Sequence, residues 1–182
     1  MKFSLFGSLP NLITLGRLLL VPVIISLITT QRWTEAFICF VIAGASDALD
    51  GWIAKTLNLR SELGSYLDPL ADKALLVSIY IALAIIGVIP ATLAIIVVAR
   101  DIMIVGAFMV SWVLGRPLKV RPLLISKINT LVQILFAALL LSVEAFGVQK
   151  GAWFDLSLYA VAGLALASLG VYFSQWFRHM SA

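Results

Sequence analysis

The sequence is poor in charged residues, cysteine and histidine. Its 182 residues include one cysteine and one histidine, and only 12% are Asp, Glu, Lys or Arg. The single Cys39 cannot form an internal disulfide, and because it lies in an apolar run we interpret it as a small buried side chain. No linker rich in Pro, Gly or Ser divides the chain and no internal repeat is evident, so we expect one domain over residues 1–182.

Apolar sequence takes the place of the missing charge. Hydrophobic residues make up 62% of the chain and the mean hydropathy is +1.09, whereas a soluble domain is about half apolar and about a quarter charged. These values predict an all-α integral membrane protein. The net charge of +4 is compatible with either nucleic acid or anionic lipid as a binding partner. Because the basic residues fall at the ends of apolar segments, we expect anionic lipid head groups as partners and no nucleic acid.

Six apolar segments approach the roughly 20 residues that a transmembrane helix needs. Before them, Phe3, Leu5, Phe6 and Leu9 indicate a short interfacial helix, in a segment too short for a cleaved signal. The predicted transmembrane helices are Leu12–Ile28, Thr34–Ala54, Leu67–Val88, Ala91–Leu114, Leu124–Val143 and Leu156–Phe177.

Basic residues are distributed unequally between the two sides of this arrangement. Only Arg32 and Lys150 fall on one side, and most others fall on the opposite side. The positive-inside rule therefore places both termini and the loop after Lys55 in the cytoplasm. Since the N-terminal residues lack an Arg-rich amphipathic pattern, we expect a bacterial cytoplasmic (inner) membrane, with a processed mitochondrial protein as the alternative.

Four of the nine acidic residues are aspartates that lie where the second and third segments meet. An ionised carboxylate at the centre of a bilayer costs about 2.5–3.5 kcal/mol, so Asp47, Asp50, Asp68 and Asp72 need compensating charge. Carboxylates from two antiparallel helices suit Mg²⁺ or Mn²⁺, and without nearby Cys or His they do not suit zinc. An alternative for Asp68 alone is an N-cap, because Pro69 favours a first helical turn.

The spacing of these aspartates resembles the signature of CDP-alcohol phosphatidyltransferases, D-x2-D-G-x2-A-R-x8-G-x3-D-x3-D. Residues 47–72 match seven of its eight fixed positions with every spacing intact. The exception is Lys55, where the family has arginine, and lysine keeps the charge but lacks the planar two-pronged guanidinium. The opening run Pro10-Asn11-Leu-Ile-Thr14-Leu-Gly-Arg17 and the Asp-Pro-x-Ala-Asp-Lys run that ends at Lys73 are also similar to the family.

The resemblance implies transfer of a phosphatidyl group from CDP-diacylglycerol to an alcohol, with release of CMP. It implies a homodimer and two divalent cations, Mg²⁺ or Mn²⁺, held by the four aspartates, with Asp72 also acting as general base. The cytidine and ribose are expected to lie against small residues of the second and third helices. The implied nucleotide-binding residues are Gly51, Ala54, Lys55 and Gly64.

Two further motifs indicate the acceptor. Arg100-Asp101, and the run Ser126-Lys127-Ile128-Asn129-Thr130 followed by Gln133, are similar to the CMP-forming cardiolipin synthase branch, which uses phosphatidylglycerol. Phosphatidylglycerolphosphate synthase, with glycerol 3-phosphate as acceptor, is the alternative. Candidate residues for lipid phosphate or acceptor are Asn11, Thr14, Arg17, Lys73, Arg100, Asp101, Arg116, Lys127 and Asn129.

Several of these residues have simpler interpretations. Asn11 is alternatively a helix cap, and Lys73 is alternatively a side chain that extends to the membrane surface. Arg116 is alternatively a residue that only sets the membrane topology. Arg100 and Asp101 suit buried charges with separate partners, because adjacent helical residues point apart. A divalent cation transporter is the non-enzyme alternative, although it predicts acidic residues dispersed through the bilayer and broken helices near its midplane.

Overall fold

The computed structural model of the protein describes residues 9–56, 62–113 and 124–181. Within these ranges the chain forms six α-helices and no strand. They are α1 (Leu9–Thr29), α2 (Trp33–Thr56), α3 (Glu62–Ile85), α4 (Ala91–Val113), α5 (Leu124–Phe146) and α6 (Ala152–Ser181). Each overlaps one predicted segment, so the predicted all-α class is confirmed. The predicted interfacial helix before Leu9 lies outside the described residues.

Two helix starts differ from the sequence-based interpretation of capping residues. Helix α3 begins at Glu62, so Asp68 lies in its second turn and its interpretation as an N-cap is wrong. Helix α1 begins at Leu9, so Asn11 lies inside its first turn and is not a cap either. Proline therefore did not mark the helix start at Pro69, since a helix in a packed protein can extend past a proline at the loss of one backbone hydrogen bond.

Left-handed residues follow three of the described helices: Gln31 after α1, Gly87 with a φ of 77° after α3, and Gly147 after α5. Gln31 has a φ of 57° and follows α1, where the Arg32 amide donates to the Leu27 carbonyl at 2.8 Å. Gly147 has a φ of 63° after α5, where the Val148 amide donates to the Val143 carbonyl at 3.0 Å. Both bonds satisfy a carbonyl that the helix itself leaves without a partner.

Large apolar side chains are exposed along the helices. Leu19, Ile95 and Ile102 are each about two-thirds exposed, which is unusual for a soluble monomer when such residues are numerous. By length and composition, two of the described helices are suited to cross a membrane, Leu124–Phe146 and Ala152–Arg178, and Ile13–Thr29 is a shorter apolar helix. Exposed apolar surface on long apolar helices indicates a membrane protein.

The helices form two compact units. The first contains α1, α2, α3 and the part of α5 from Ala137, and the second contains α4, α6 and the part of α5 up to Phe136. In the first unit α1 packs against both α2 and α3, and in the second α4 packs against α6.

In the first unit, buried faces lead to charged residues. Helix α1 buries Thr14, Arg17, Ile24 and Ile28, positions that share one face at helical spacing. On α2 the buried run of Ala36, Phe40 and Ala43 continues to Asp47 one turn later, and on α3 the run of Leu76, Ile79 and Leu83 begins one turn after Asp72. The same periodicity that buries the apolar residues therefore turns both aspartates toward the interior side of their helices.

Candidate active site

Arg17 joins the carboxylates of two helices. Its Nη1 lies 2.7 Å from Asp47 Oδ1 on α2 and donates a hydrogen bond to Asp72 Oδ1 on α3 at 2.6 Å. The first and last aspartates of the signature are 25 positions apart in the sequence, and their oxygens are separated by no more than the sum of these two distances. Packing of both helices on α1 produces this convergence.

The three charges differ in their exposure. The Arg17 side chain is 1% exposed, whereas the side chains of Asp47 and Asp72 are 44% and 42% exposed. A buried guanidinium is tolerated only when anions compensate it, and the two carboxylates supply that compensation. Because each carboxylate is also partly open to the surroundings, a ligand can reach it without displacing the helices.

The remaining signature residues lie on the ends of the same two helices. Asp50, Gly51, Ala54 and Lys55 belong to the last turns of α2, and Gly64 and Asp68 to the first turns of α3. Their side chains are outside the described part of the structure. The helical backbone nonetheless carries Asp50 one turn beyond Asp47, and Asp68 one turn before Asp72.

The described residues are compatible with a hard cation. Asp47 and Asp72 offer carboxylate oxygens that approach a single nitrogen, and oxygen is the ligand atom that Mg²⁺ and Mn²⁺ prefer. No group of three or more His, Cys, Asp or Glu ligands occurs among the described side chains, which do not include those of Asp50 and Asp68. The predicted cations thus remain a prediction, with a matching donor type at two of the four positions.

Two other candidates lie on the same helices as this cluster. Thr14 is 2% exposed and precedes Arg17 by one turn on α1. Lys73 follows Asp72 directly and is half-buried, with partners inside the protein. The structure therefore places both candidates in the same unit as the carboxylates.

A second buried polar cluster lies in the other unit. Arg100 on α4 is 1% exposed, and its Nη1 donates to Asp101 Oδ1. Its Nη2 donates to Ser126 Oγ on α5 at 2.6 Å and to Ser168 Oγ on α6 at 2.8 Å. One guanidinium thus connects three helices. Both residues are buried and Arg100 has further partners, as the simpler interpretation expects, but the two side chains do not point apart, because the long arginine side chain bends back to its neighbour.

The other acceptor candidates differ in burial. Asn129 is 0% exposed, and its amide nitrogen and oxygen have no hydrogen-bond partner among the described residues. Gln133 is also 0% exposed and lies one turn later on the same face of α5. Lys127 is exposed at the start of this helix, and Arg116 lies outside the described residues.

Sequence reasoning missed Ser168 as a partner of Arg100. It lies on α6 one turn after the buried Ala165, so helical periodicity places it on the interior face. That signal is weak because a serine in an apolar helix can also bond to the carbonyl one turn earlier, as Ser174 does with Val171. Sequence reasoning also did not predict that the partners of Arg17 would be two signature aspartates.

Comparison with known proteins identifies the family. The family model for CDP-alcohol phosphatidyltransferase matches residues 7–176, which is nearly the whole chain. The chain belongs to the CDP-alcohol phosphatidyltransferase family. The predicted family and the predicted enzyme class, a transferase, are therefore confirmed, and nothing in the match supports the transporter alternative.

Individual relatives of this phosphatidyltransferase fall into two groups by name. A CMP-forming cardiolipin synthase from Rattus norvegicus is 33% identical, with 91% of this chain and 60% of the relative covered. A CDP-diacylglycerol–glycerol-3-phosphate 3-phosphatidyltransferase from Bacillus subtilis is 32% identical, with 92% and 94% covered.

A chloroplastic CDP-diacylglycerol–glycerol-3-phosphate 3-phosphatidyltransferase from Oryza sativa is 36% identical, with 80% of this chain and 49% of the relative covered. The chain thus spans about half to three-fifths of the rice and rat relatives and nearly all of the Bacillus one. These similar identities do not separate the two acceptors.

Proposed function

We propose that the protein is a CMP-forming cardiolipin synthase, which transfers the phosphatidyl group of CDP-diacylglycerol to phosphatidylglycerol. The observation that carries the catalytic part of the proposal is the approach of Asp47 and Asp72, from two helices, to one nitrogen of Arg17. These aspartates are the first and last members of the family signature. We place the reaction at this end of α2 and α3.

The proposed reaction is a single displacement at phosphorus. The hydroxyl oxygen of the acceptor forms a bond to the phosphorus next to diacylglycerol, the bond from that phosphorus to CMP breaks, and CMP leaves with the electron pair. Asp72, which is partly exposed, accepts the hydroxyl proton. No covalent enzyme intermediate is needed.

Asp47, Asp50, Asp68 and Asp72 are proposed to hold two divalent cations, Mg²⁺ or Mn²⁺. Bound cations neutralise the diphosphate and the charge that develops on the attacking and leaving oxygens. Gly51, Ala54, Lys55 and Gly64 are proposed to receive the nucleotide, because residues without large side chains let a flat ring approach the backbone.

Phosphatidylglycerol is proposed as acceptor because the Arg100-Asp101 and Ser126–Thr130 motifs resemble the cardiolipin synthase branch, and because the rat relative carries that name. Glycerol 3-phosphate is the second candidate. The Bacillus relative, whose name specifies glycerol 3-phosphate, matches this chain over 94% of its own length. This similarity in chain length favours glycerol 3-phosphate as the acceptor.

We further propose that all six helices cross a bacterial cytoplasmic membrane as one domain. Both termini and the active site then face the cytoplasm, and the protein is a homodimer. Support for the orientation is the excess of Lys and Arg on one side of the predicted segments.

The decisive experiment supplies the purified protein in liposomes with CDP-diacylglycerol and either phosphatidylglycerol or glycerol 3-phosphate. Mass spectrometry identifies the lipid formed, and CMP is measured separately. Formation of cardiolipin supports the proposal. Formation of phosphatidylglycerolphosphate alone shows instead that glycerol 3-phosphate is the acceptor. Absence of CMP release with both acceptors, in the presence of Mg²⁺ or Mn²⁺, would exclude both reactions.

A further inference from the structure

Arg17 pairs with two of the four carboxylates that the proposed function assigns to divalent cations. One guanidinium nitrogen lies within hydrogen-bond distance of an oxygen from Asp47 and an oxygen from Asp72. A nitrogen in this position and a cation bound to the same two oxygens exclude each other by volume and by like charge. The described arrangement is therefore one in which the protein neutralises its own aspartates.

We propose that Arg17 is an exchangeable counter-ion: it pairs with Asp47 and Asp72 before divalent cations bind, and it pairs with the diphosphate of CDP-diacylglycerol afterwards. This inference rests on the proposed function, since it assumes that the aspartates bind cations and that the substrate carries a diphosphate. It adds a role for Arg17 that couples the binding of the two ligands.

Burial explains why Arg17 needs an anion in both states. Its side chain is 1% exposed, so a guanidinium that loses both carboxylates cannot compensate the loss with bulk water. The diphosphate is the anionic group that the substrate brings to the same place. Guanidinium groups bind phosphate oxygens through two parallel hydrogen bonds, which makes it a suitable replacement partner.

The position of Arg17 makes such an exchange local. It lies on the buried face of α1, between Thr14 and Ile24, and this helix packs against both α2 and α3. The backbone is therefore held by neighbours on two sides. The proposed change of partner is a rotation about the side-chain bonds of the arginine, with the backbone of α1 kept in place.

The exchange predicts a definite pattern of binding energies. Arg17 competes with the cation when nucleotide is absent, so its removal is expected to raise the affinity for the cation. When nucleotide is present, Arg17 contributes to binding of the diphosphate, so nucleotide and cation tighten each other's binding in the wild type. By linkage this mutual effect is reciprocal, and it is expected to weaken when Arg17 is replaced.

The test measures Mn²⁺ binding to the purified full-length protein in detergent micelles, by electron paramagnetic resonance of free Mn²⁺. Wild type, Arg17→Gln and Arg17→Lys are titrated with and without CDP-diacylglycerol, in the absence of acceptor. Arg32→Gln is the matched control, because it removes the same charge from an exposed pair with Glu35. Unfolding temperatures of all four proteins are recorded with and without Mn²⁺.

Without nucleotide, Arg17→Gln is expected to bind Mn²⁺ about tenfold more tightly than wild type. A tenfold change corresponds to roughly 1.4 kcal/mol, and the repulsion between two unit charges at contact distance near a protein surface is larger than that. CDP-diacylglycerol is expected to tighten Mn²⁺ binding less in this variant than in wild type. Arg17→Lys should lie between the two, and Arg32→Gln should match wild type. The Mn²⁺-induced rise in unfolding temperature should be largest for Arg17→Gln.

Unchanged or weaker Mn²⁺ binding by a folded Arg17→Gln variant overturns the exchange, because Arg17 then does not compete for the carboxylates. If that variant does not fold, Mn²⁺ affinity of Arg17→Lys equal to that of wild type overturns it in the same way. If the wild type binds no Mn²⁺, the cation site of the proposed function fails and the exchange fails with it. If the wild type binds Mn²⁺ and releases CMP, but replacement of Arg17 changes neither the Mn²⁺ affinity nor the CDP-diacylglycerol affinity, the exchange is overturned and the proposed function is retained.

Discussion

Replacement of Arg100 by alanine removes the guanidinium that connects α4, α5 and α6. Its hydrogen bonds to Asp101, Ser126 and Ser168 are lost together, and the Asp101 carboxylate, only 7% exposed, stays in the protein without that partner. Removal of one member of a buried ion pair costs about 3–5 kcal/mol, because the remaining charge stays out of bulk water and loses the attraction of its partner. We therefore expect Arg100→Ala to lower the free energy of unfolding by about that amount.

The serine bonds are expected to contribute much less. Hydrogen bonds between membrane helices average about 0.6 kcal/mol in double-mutant cycles, so Ser126→Ala and Ser168→Ala should each cost about 0.6 kcal/mol. The double variant Arg100→Met with Asp101→Asn removes both charges and keeps most of the volume. It should be more stable than Arg100→Ala, because neither charge of the pair remains after the other is removed.

The assay is reversible unfolding in mixed micelles, followed by helical circular dichroism, with phosphatidylglycerol KM measured on the same samples. A destabilisation of less than about 1 kcal/mol by Arg100→Ala would refute the reasoning from burial. A double variant no more stable than Arg100→Ala would refute it as well. A raised KM for phosphatidylglycerol at unchanged stability would instead indicate that Arg100 binds the acceptor.

Three further predictions concern other parts of the chain. Asp72→Asn should reduce CMP release by about 10²–10⁴-fold at unchanged helical content, since it removes the proposed proton acceptor; full activity in a CMP assay would exclude Asp72 as the base. Gln31→Gly should stabilise the protein by up to about 1 kcal/mol, because glycine tolerates the left-handed φ of 57°, whereas Gln31→Val should destabilise it in the same unfolding assay. Lys55→Arg should lower the KM for CDP-diacylglycerol several-fold with kcat unchanged, because arginine offers a two-pronged contact to phosphate; an equal or higher KM would show that lysine is the better residue here.

The number and order of the helices in the described part of the chain were predictable from the sequence. Long apolar runs separated by short polar loops specify where helices form, because an apolar helix satisfies its backbone hydrogen bonds locally and needs no knowledge of distant residues. The ends were less predictable. Helix α3 begins at Glu62, whereas the sequence predicts a start at Leu67. The prediction starts too late because the first turns of α3 lack a continuous apolar run and are followed by a proline.

The family signature was predictable for a different reason. Asp47 to Asp72 lie within one short stretch, so their spacing can be compared with a known pattern without any three-dimensional information. Contacts between helices are different because they depend on how the helices pack. That Arg17 would reach Asp47 and Asp72 was not predictable, because any of the charged residues at the helix ends could have supplied the partner.

The sequence by itself determined the membrane character, the all-helical class and the family, because each is expressed in local composition or in residue spacing. Tertiary structure alone decided which charges meet. Packing of α2 and α3 on α1 brings two aspartates to one buried arginine, and packing of α4 with α6 brings Ser168 to Arg100. A buried charge takes its partner from whichever helices surround it, so these pairings follow from packing and not from distance along the chain.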